Sequence, residues 1–145
     1  RPGTLLLDGI QDPGNLGTIL RTADALEVPV VLLDGCADAY NPKTVRATMG
    51  AVFRTQPVRM TRAEAVQSCR AAGIPLLATA MSADTVDLRK KNLSGCAVVI
   101  GSEGRGVSAE LFAAADGKII IPMNPRCESL NAAAAATIVL WQMKC

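Results

Sequence analysis

The chain has 145 residues, half of them hydrophobic but only 3% aromatic, and a formal net charge of +2. That length suits one domain burying about two-thirds of its unfolded surface, with a core of Ala, Val, Leu and Ile, as in helix-covered parallel sheets. Histidine is absent, and five cysteines (Cys36, Cys69, Cys96, Cys127 and Cys145) form no CxxC pair, which excludes zinc sites and histidine-based triads and favours free thiols.

In chain order, strand-like runs are predicted at Thr4–Leu7, Val28–Leu33, Ile74–Ala78, Ala97–Ile100 and Lys118–Ile121. They alternate with helical stretches at Pro13–Leu26, Thr61–Ala72, Ser108–Ala114 and Leu130–Met143. The alternation predicts an α/β fold with a mainly parallel sheet flanked by helices. Asp12 is the expected N-cap of the first helix, with Pro13 at its first position, and Thr61 with Glu64 three residues later predicts a capping box. Pro42–Met49 reads as a helical turn and Asp84–Ser94 as a loop. No apolar run reaches membrane-spanning length. The start, Arg1-Pro2-Gly3-Thr4 followed by three leucines, lacks the pattern of a signal peptide, so a cytoplasmic location is expected.

Three places can carry chemistry. Within DGIQDPGNLGTILRTADA, a helix from Pro13 puts Gly14, Gly17 and Arg21 on one face. Glycine in a helix interior costs about 1 kcal/mol relative to Ala, so close approach by a second backbone or by a ligand beside the guanidinium is the expected compensation. Second, VVIGSEGRG runs a strand into a glycine-rich loop carrying Glu103 and Arg105. Its spacing fits neither the dinucleotide nor the P-loop pattern. Third, IIIPMNPRCESLNAAAAA joins a strand, predicted to be buried on both faces at Ile119–Ile121 and stopped by Pro122, to an Ala-rich helix. At its start Ser129 and Asn131 either cap the helix or meet the polar atoms of a ligand. Between Lys43 and Arg70 there are six basic residues (Lys43, Arg46, Arg54, Arg59, Arg62 and Arg70) against one acid, Glu64. That run is either a solvated face or a field that attracts phosphates.

The segments DPGNLGTILRTADA, VVIGSEGRGVS and IIIPMNPRCESLNAAAAA, in that order, closely resemble the three motifs of the SpoU (TrmH-like) family of SPOUT-class RNA 2'-O-ribose methyltransferases, and TVRATMGAVFRTQPV, residues 44–58, is similar to its connecting segment. The resemblance covers nearly the whole chain. It implies a C-terminal trefoil knot, which is very rare among folds, and S-adenosylmethionine held there by Thr79, Gly101, Ile121, Met123, Ser129, Leu130 and Asn131. It implies that Arg21 contacts the ribose 2'-hydroxyl and adjoining phosphate, with Asn15, Glu103, Ser129 and Asn131 organising the site. Arg21, Arg46, Arg54 and Arg105 are the expected contacts to RNA, ribosomal or transfer, and no metal is expected. A guanidinium keeps its proton above about pH 12, so the resemblance implies electrostatic activation by Arg21 and proton removal assisted by phosphate.

Members of the family are homodimers, which the helix Leu130–Leu140, apolar nearly all round, would suit. Many carry an N-terminal RNA-recognition domain. Here the first motif follows Thr4 closely, so the chain is expected to be either the catalytic domain of a longer protein or a minimal form. The competing function is a non-catalytic RNA-binding or assembly factor on the same fold. A nicotinamide oxidoreductase fits the α/β class but fails at the loop spacing.

Overall fold

The computed structural model describes residues 3–80, 86–102, 104–122 and 130–144. Among the described residues seven strands form one sheet: β1 (Thr4–Asp8), β2 (Val30–Leu32), β3 (Val58–Arg59), β4 (Leu76–Thr79), β5 (Val86–Asp87), β6 (Ala97–Gly101) and β7 (Gly117–Ile120), in the order β3-β2-β1-β6-β4-β7-β5. Every pairing between these strands is parallel. Parallel strands need crossover connections, and the helices α1 (Pro13–Ala25), α2 (Pro42–Thr48), α3 (Ala51–Thr55), α4 (Arg62–Ala72), α5 (Ala109–Ala114) and α6 (Ala132–Lys144) lie along them.

Side chains alternate across the sheet with period two. Leu5, Leu7, Val98, Ile100 and Ile119 bury one face against α1 and α6, while Leu6, Val99 and Leu76 bury the other against Ala65 and Cys69 of α4 and Leu111 of α5. Leu5 and Leu7 are fully buried, each contributing roughly 1.5–3 kcal/mol relative to exposure. Cys96 is a buried residue of this core, as expected of a small apolar side chain.

The local capping signals act as read. The Gly14 N–H donates to Asp12 Oδ1 at 3.1 Å with Pro13 opening α1. Around α4 the capping box closes on both sides, Glu64 N–H to Thr61 Oγ1 at 3.1 Å and Thr61 N–H to Glu64 Oε1 at 2.9 Å. Differences fall on short elements. Pro42–Thr48 is a two-turn helix and not a single turn, a two-residue β3 follows α3, and the expected loop at 84–94 contains β5 and the 3₁₀ turn Leu88–Lys90. Two-residue strands carry too little periodicity to be read locally. In β7 only Ile119 is fully buried; Ile120 and the following Ile121 are half-buried, because β7 is next to the edge strand and its second face is incompletely covered.

One topological feature positions the site. Thr79 of β4 and Val86 of β5 lie on opposite sides of Ile119, so β7 is inserted between two strands that are close in sequence. The link across it includes residues 81–85, and the chain leaves β7 through residues 123–129. Both segments lie outside the described residues, as do the crossings that would tie the expected knot.

Candidate active site

The parallel arrangement brings the carboxyl ends of β1, β6, β4 and β7 to one edge of the sheet, where open α/β folds bind ligands. Asp8, Gly101, Thr79 and Ile120 are the last residues of those four strands. Four of the expected cofactor residues, Thr79, Gly101, Ile121 and Leu130, are half-buried at or just beyond this edge. The Thr79 hydroxyl donates to the Val99 carbonyl at 3.0 Å, tying β4 to β6 where both end.

Asn131 joins the first and third motifs. Its Oδ1 accepts from the Ala133 and Ala134 N–H groups at 2.8 and 3.3 Å, which makes it the N-cap of α6. Its Nδ2 donates to Asn15 Oδ1 of α1 at 3.2 Å, across 116 residues of sequence. The capping reading is therefore correct, and the same side chain also fixes Asn15. Six residues along α1 from Asn15, Arg21 is exposed and has no ion-pair or hydrogen-bond partner among the described residues. Glu103, Met123 and Ser129 lie outside the described residues.

The glycines have structural reasons. A Cβ on Gly17 would sit 2.3 Å from Ala47 Cβ and 2.8 Å from the Thr44 carbonyl oxygen, so this glycine lets α2 pack against α1 and does not open a ligand groove. Gly14 has only the Asp12 carboxylate within 3.6 Å of such a Cβ. At Gly101 a Cβ would collide with the Gly106 carbonyl group, at 2.1 Å, because the loop folds back on the end of β6. The Gly106 N–H donates to the Ser102 carbonyl at 2.8 Å to hold that fold. Gly101 is thus a chain-packing requirement at the edge where the cofactor is expected.

The basic run from Lys43 to Arg70 is less uniform than its sequence suggests. Arg54 pairs with Asp24 at 2.9 Å, Arg59 donates to the Cys36 and Ala37 carbonyls, and Arg62 pairs with Asp8. Among the described residues Lys43, Arg46 and Arg70 form no ion pair, and Arg46 is exposed on α2 beside α1. The expected phosphate field is therefore narrower, with Arg54 already engaged and Arg46 available. Arg105 is exposed, and its N–H donates to Ser102 Oγ at 3.3 Å.

Sequence reading missed the cluster around Asp8. This carboxylate is only 2% exposed; Oδ1 accepts from Arg62 Nε and Oδ2 from the Ser108 N–H, both at 2.8 Å. The Arg62 N–H in turn donates to Asp34 Oδ2 at 3.1 Å. The carboxylate raises the pKa of the Arg62 guanidinium through their hydrogen bond, which locks the positive charge. The only sequence signal was a carboxylate at the end of an apolar strand, where burial demands a partner. Burial pushes the thiols of Cys36, Cys69 and Cys96 upward, leaving them poor nucleophiles at neutral pH. Among the described residues no group of three His, Cys, Asp or Glu side chains could hold a metal, and no helix is long and apolar enough to cross a membrane.

The family model of the SpoU rRNA Methylase family matches residues 2–141. The chain belongs to that family. It is 38% identical to the 23S rRNA (guanosine(2553)-2'-O)-methyltransferase RlmP of Bacillus subtilis, over 97% of this chain and 57% of that protein. In structure it is similar to an AdoMet-bound rRNA methyltransferase from Sinorhizobium meliloti, with a TM-score of 0.92 and 38% identity over 99% of this chain and 56% of the other. It is also similar to the SpoU methyltransferase AviRb of Streptomyces viridochromogenes in complex with AdoMet, with a TM-score of 0.87 and 35% identity over 99% and 60% of the two chains. The mainly parallel, helix-flanked sheet is thus the SPOUT fold. The chain spans between half and three-fifths of the length of these relatives.

Proposed function

We propose that this chain is the catalytic domain of an S-adenosylmethionine-dependent RNA 2'-O-ribose methyltransferase acting on ribosomal or transfer RNA in the cytoplasm. The observation that carries the reading is the Asn131–Asn15 hydrogen bond. It sets the family's first motif, with the unpartnered Arg21, against the third, beside the carboxyl ends of β4, β6 and β7.

The residues at that edge suit the cofactor. Ile121 and Leu130 flank the turn with apolar surface for an adenine ring, and Thr79, Gly101 and Asn131 add polar atoms; none of these five side chains is cationic, which suits a sulfonium ligand. The Lys118 ammonium is held over the Phe112 ring, 4.7 Å from its centroid. Bound there, S-adenosylmethionine supplies the electrophilic methyl carbon. Arg21 places its positive charge against the attacking 2'-hydroxyl and the neighbouring phosphate, stabilising the developing alkoxide while the phosphate assists proton removal. Asn15, held by Asn131, fixes the first-motif side of the site, and Glu103 and Ser129 complete it by family resemblance. Arg46 and Arg105 extend the RNA contact; Arg54 joins it if Asp24 is displaced. The C-terminal trefoil knot that the resemblance implies belongs to the same reading. So does a homodimer that buries the exposed Ile138 and Trp141 of α6, which are 41% and 61% exposed.

Calorimetric titration with S-adenosylmethionine tests the proposal. The chain should bind saturably, Asn131→Ala should bind more weakly, and Arg21→Ala should bind normally while losing at least ~100-fold in methyl transfer to RNA. Absence of binding by the folded chain would replace the enzyme by a non-catalytic RNA-binding factor. Unchanged turnover in Arg21→Ala would remove the role given to that residue.

A further inference from the structure

A cleft of about 220 Å³ opens between the end of β1 and the back-folded loop after β6, on the side of that loop away from Thr79 and β4. It is smaller than the roughly 300–1,000 Å³ of sites for drug-sized ligands, so it suits one compact group and not a whole cofactor. Its floor is already paired. Both oxygens of Asp8 are taken, by Arg62 and by the Ser108 N–H, and Arg62 is shared with Asp34. The buried Asp8 carboxylate has no oxygen without a donor, and the Arg62 guanidinium, 27% exposed, is already engaged by Asp8 and Asp34.

Among the described residues, the side chains left unpaired at the cleft are those of Gln11, Arg105 and Ser108. Arg105 lines the cleft, exposed and without a side-chain partner among the described residues. Ser108 also lines it, with a buried hydroxyl that finds no hydrogen-bond partner. A buried hydroxyl without a partner is unfavourable by about 1–3 kcal/mol and is expected only where something else supplies the bond. Gly9 and Gly106 adopt φ of +72° and +67°, and a Cβ on either would project into open space, so the cleft wall is bare backbone that a ligand can approach. A guanidinium fork, a free hydroxyl and bare backbone together match a phosphate group.

We infer that this cleft is a binding site for a phosphodiester group of single-stranded RNA, held by Arg105 and the Ser108 hydroxyl. The inference rests on the methyltransferase reading for its choice of RNA. The glycine loop then has two working sides, with the cofactor edge at Gly101 and a backbone phosphate in the cleft. A strand gripped there is held beside the methyl-transfer site without its bases being read, which positions RNA but does not select its sequence.

The test uses the full chain and a short, fluorescently labelled, mixed-sequence oligoribonucleotide, with affinity followed by anisotropy across a salt series. Arg105→Gln should weaken binding about tenfold at low salt and reduce the slope of log affinity against log salt by about 0.7, the value for one phosphate of a single strand. Ser108→Ala should weaken binding several-fold while raising Tm, since it removes an unsatisfied buried hydroxyl; a purely structural serine would lower both. Lys144→Gln is the control, because α6 ends against Gly3 at the opposite edge of the sheet, and it should change neither quantity. An unchanged salt slope in Arg105→Gln, or no binding of the oligonucleotide by the wild type, overturns the inference. Competition by inorganic phosphate with RNA affinity untouched by Arg105→Gln would make the cleft a small-anion site and overturn it equally. Calorimetry with S-adenosylmethionine separates the two readings. Lost cofactor binding in the wild type with an intact Arg105 effect on RNA refutes the enzyme and leaves the cleft standing.

Discussion

Removing the Arg62 side chain should destabilise this domain more than any other surface-reaching cation would. Arg62→Leu leaves the Asp8 carboxylate, 2% exposed, with the Ser108 N–H as its remaining donor. Breaking a fully buried pair by deleting one partner is unfavourable by about 3–5 kcal/mol. The Arg62 side chain is 27% exposed, so water partly compensates and about 2–3 kcal/mol is expected. With an unfolding entropy of about 2.1 cal/mol/K per residue, a chain of this length loses about 3 °C of Tm per kcal/mol, giving a drop of about 7–10 °C. Urea unfolding of the variant should show a lower midpoint with an unchanged m-value. Arg54→Leu supplies the contrast. Its pair with Asp24 is similarly short at 2.9 Å, but the Arg54 side chain is 63% exposed, and a loss of at most about 1 kcal/mol is expected. A loss below about 0.5 kcal/mol in Arg62→Leu, or equal losses in the two variants, would refute the argument that burial of Asp8 decides the outcome.

Two further outcomes follow from the geometry. Gly17→Ala forces α1 and α2 apart, since its Cβ would lie 2.3 Å from Ala47 Cβ; a loss of about 1–3 kcal/mol by chemical denaturation is expected despite alanine's better helix propensity, and a stabilised variant would disprove the close packing. Acid should also weaken the fold through Asp87 and Glu64. Arg89 holds the Asp87 carboxyl down at about 2, and the Thr61 backbone N–H of the capping box lowers that of Glu64. Both are depressed in the folded state, so the stability they add is complete above about pH 5 and fades as pH falls towards about 2. Thermal unfolding followed across that window should show Arg89→Gln less acid-sensitive than the wild type; parallel curves would exclude the Asp87 contribution.

What the chain shows by its local order, it shows because the responsible contacts are local. The Asp12 cap, the Thr61–Glu64 box and the Asn131 cap each join residues two or three apart, and side-chain periodicity alone separates β1 and β6 from α1 and α4. The three family motifs were legible in the same way. The short strands β3 and β5 were not, since two residues define no period and their pairing partners, Val31 and Ile119, lie 27 and 33 residues away.

Composition and sequence order determined the α/β class, the helix starts, the mainly aliphatic core and the motifs that assign the family. Tertiary structure decided which polar residues and glycines meet a partner from another element. Gly17 changed from a candidate groove to a helix contact because Ala47, on another helix, fills the space beside it. Arg62 changed from part of a basic field to the partner of Asp8, 54 residues away, and Asn131 gained Asn15 across 116 residues. The physical reason is common to all three. Whether a charge, an amide or a missing side chain faces water, a ligand or another element depends on burial and on partners brought in by parallel crossovers, and neither is encoded within a few residues of the position itself.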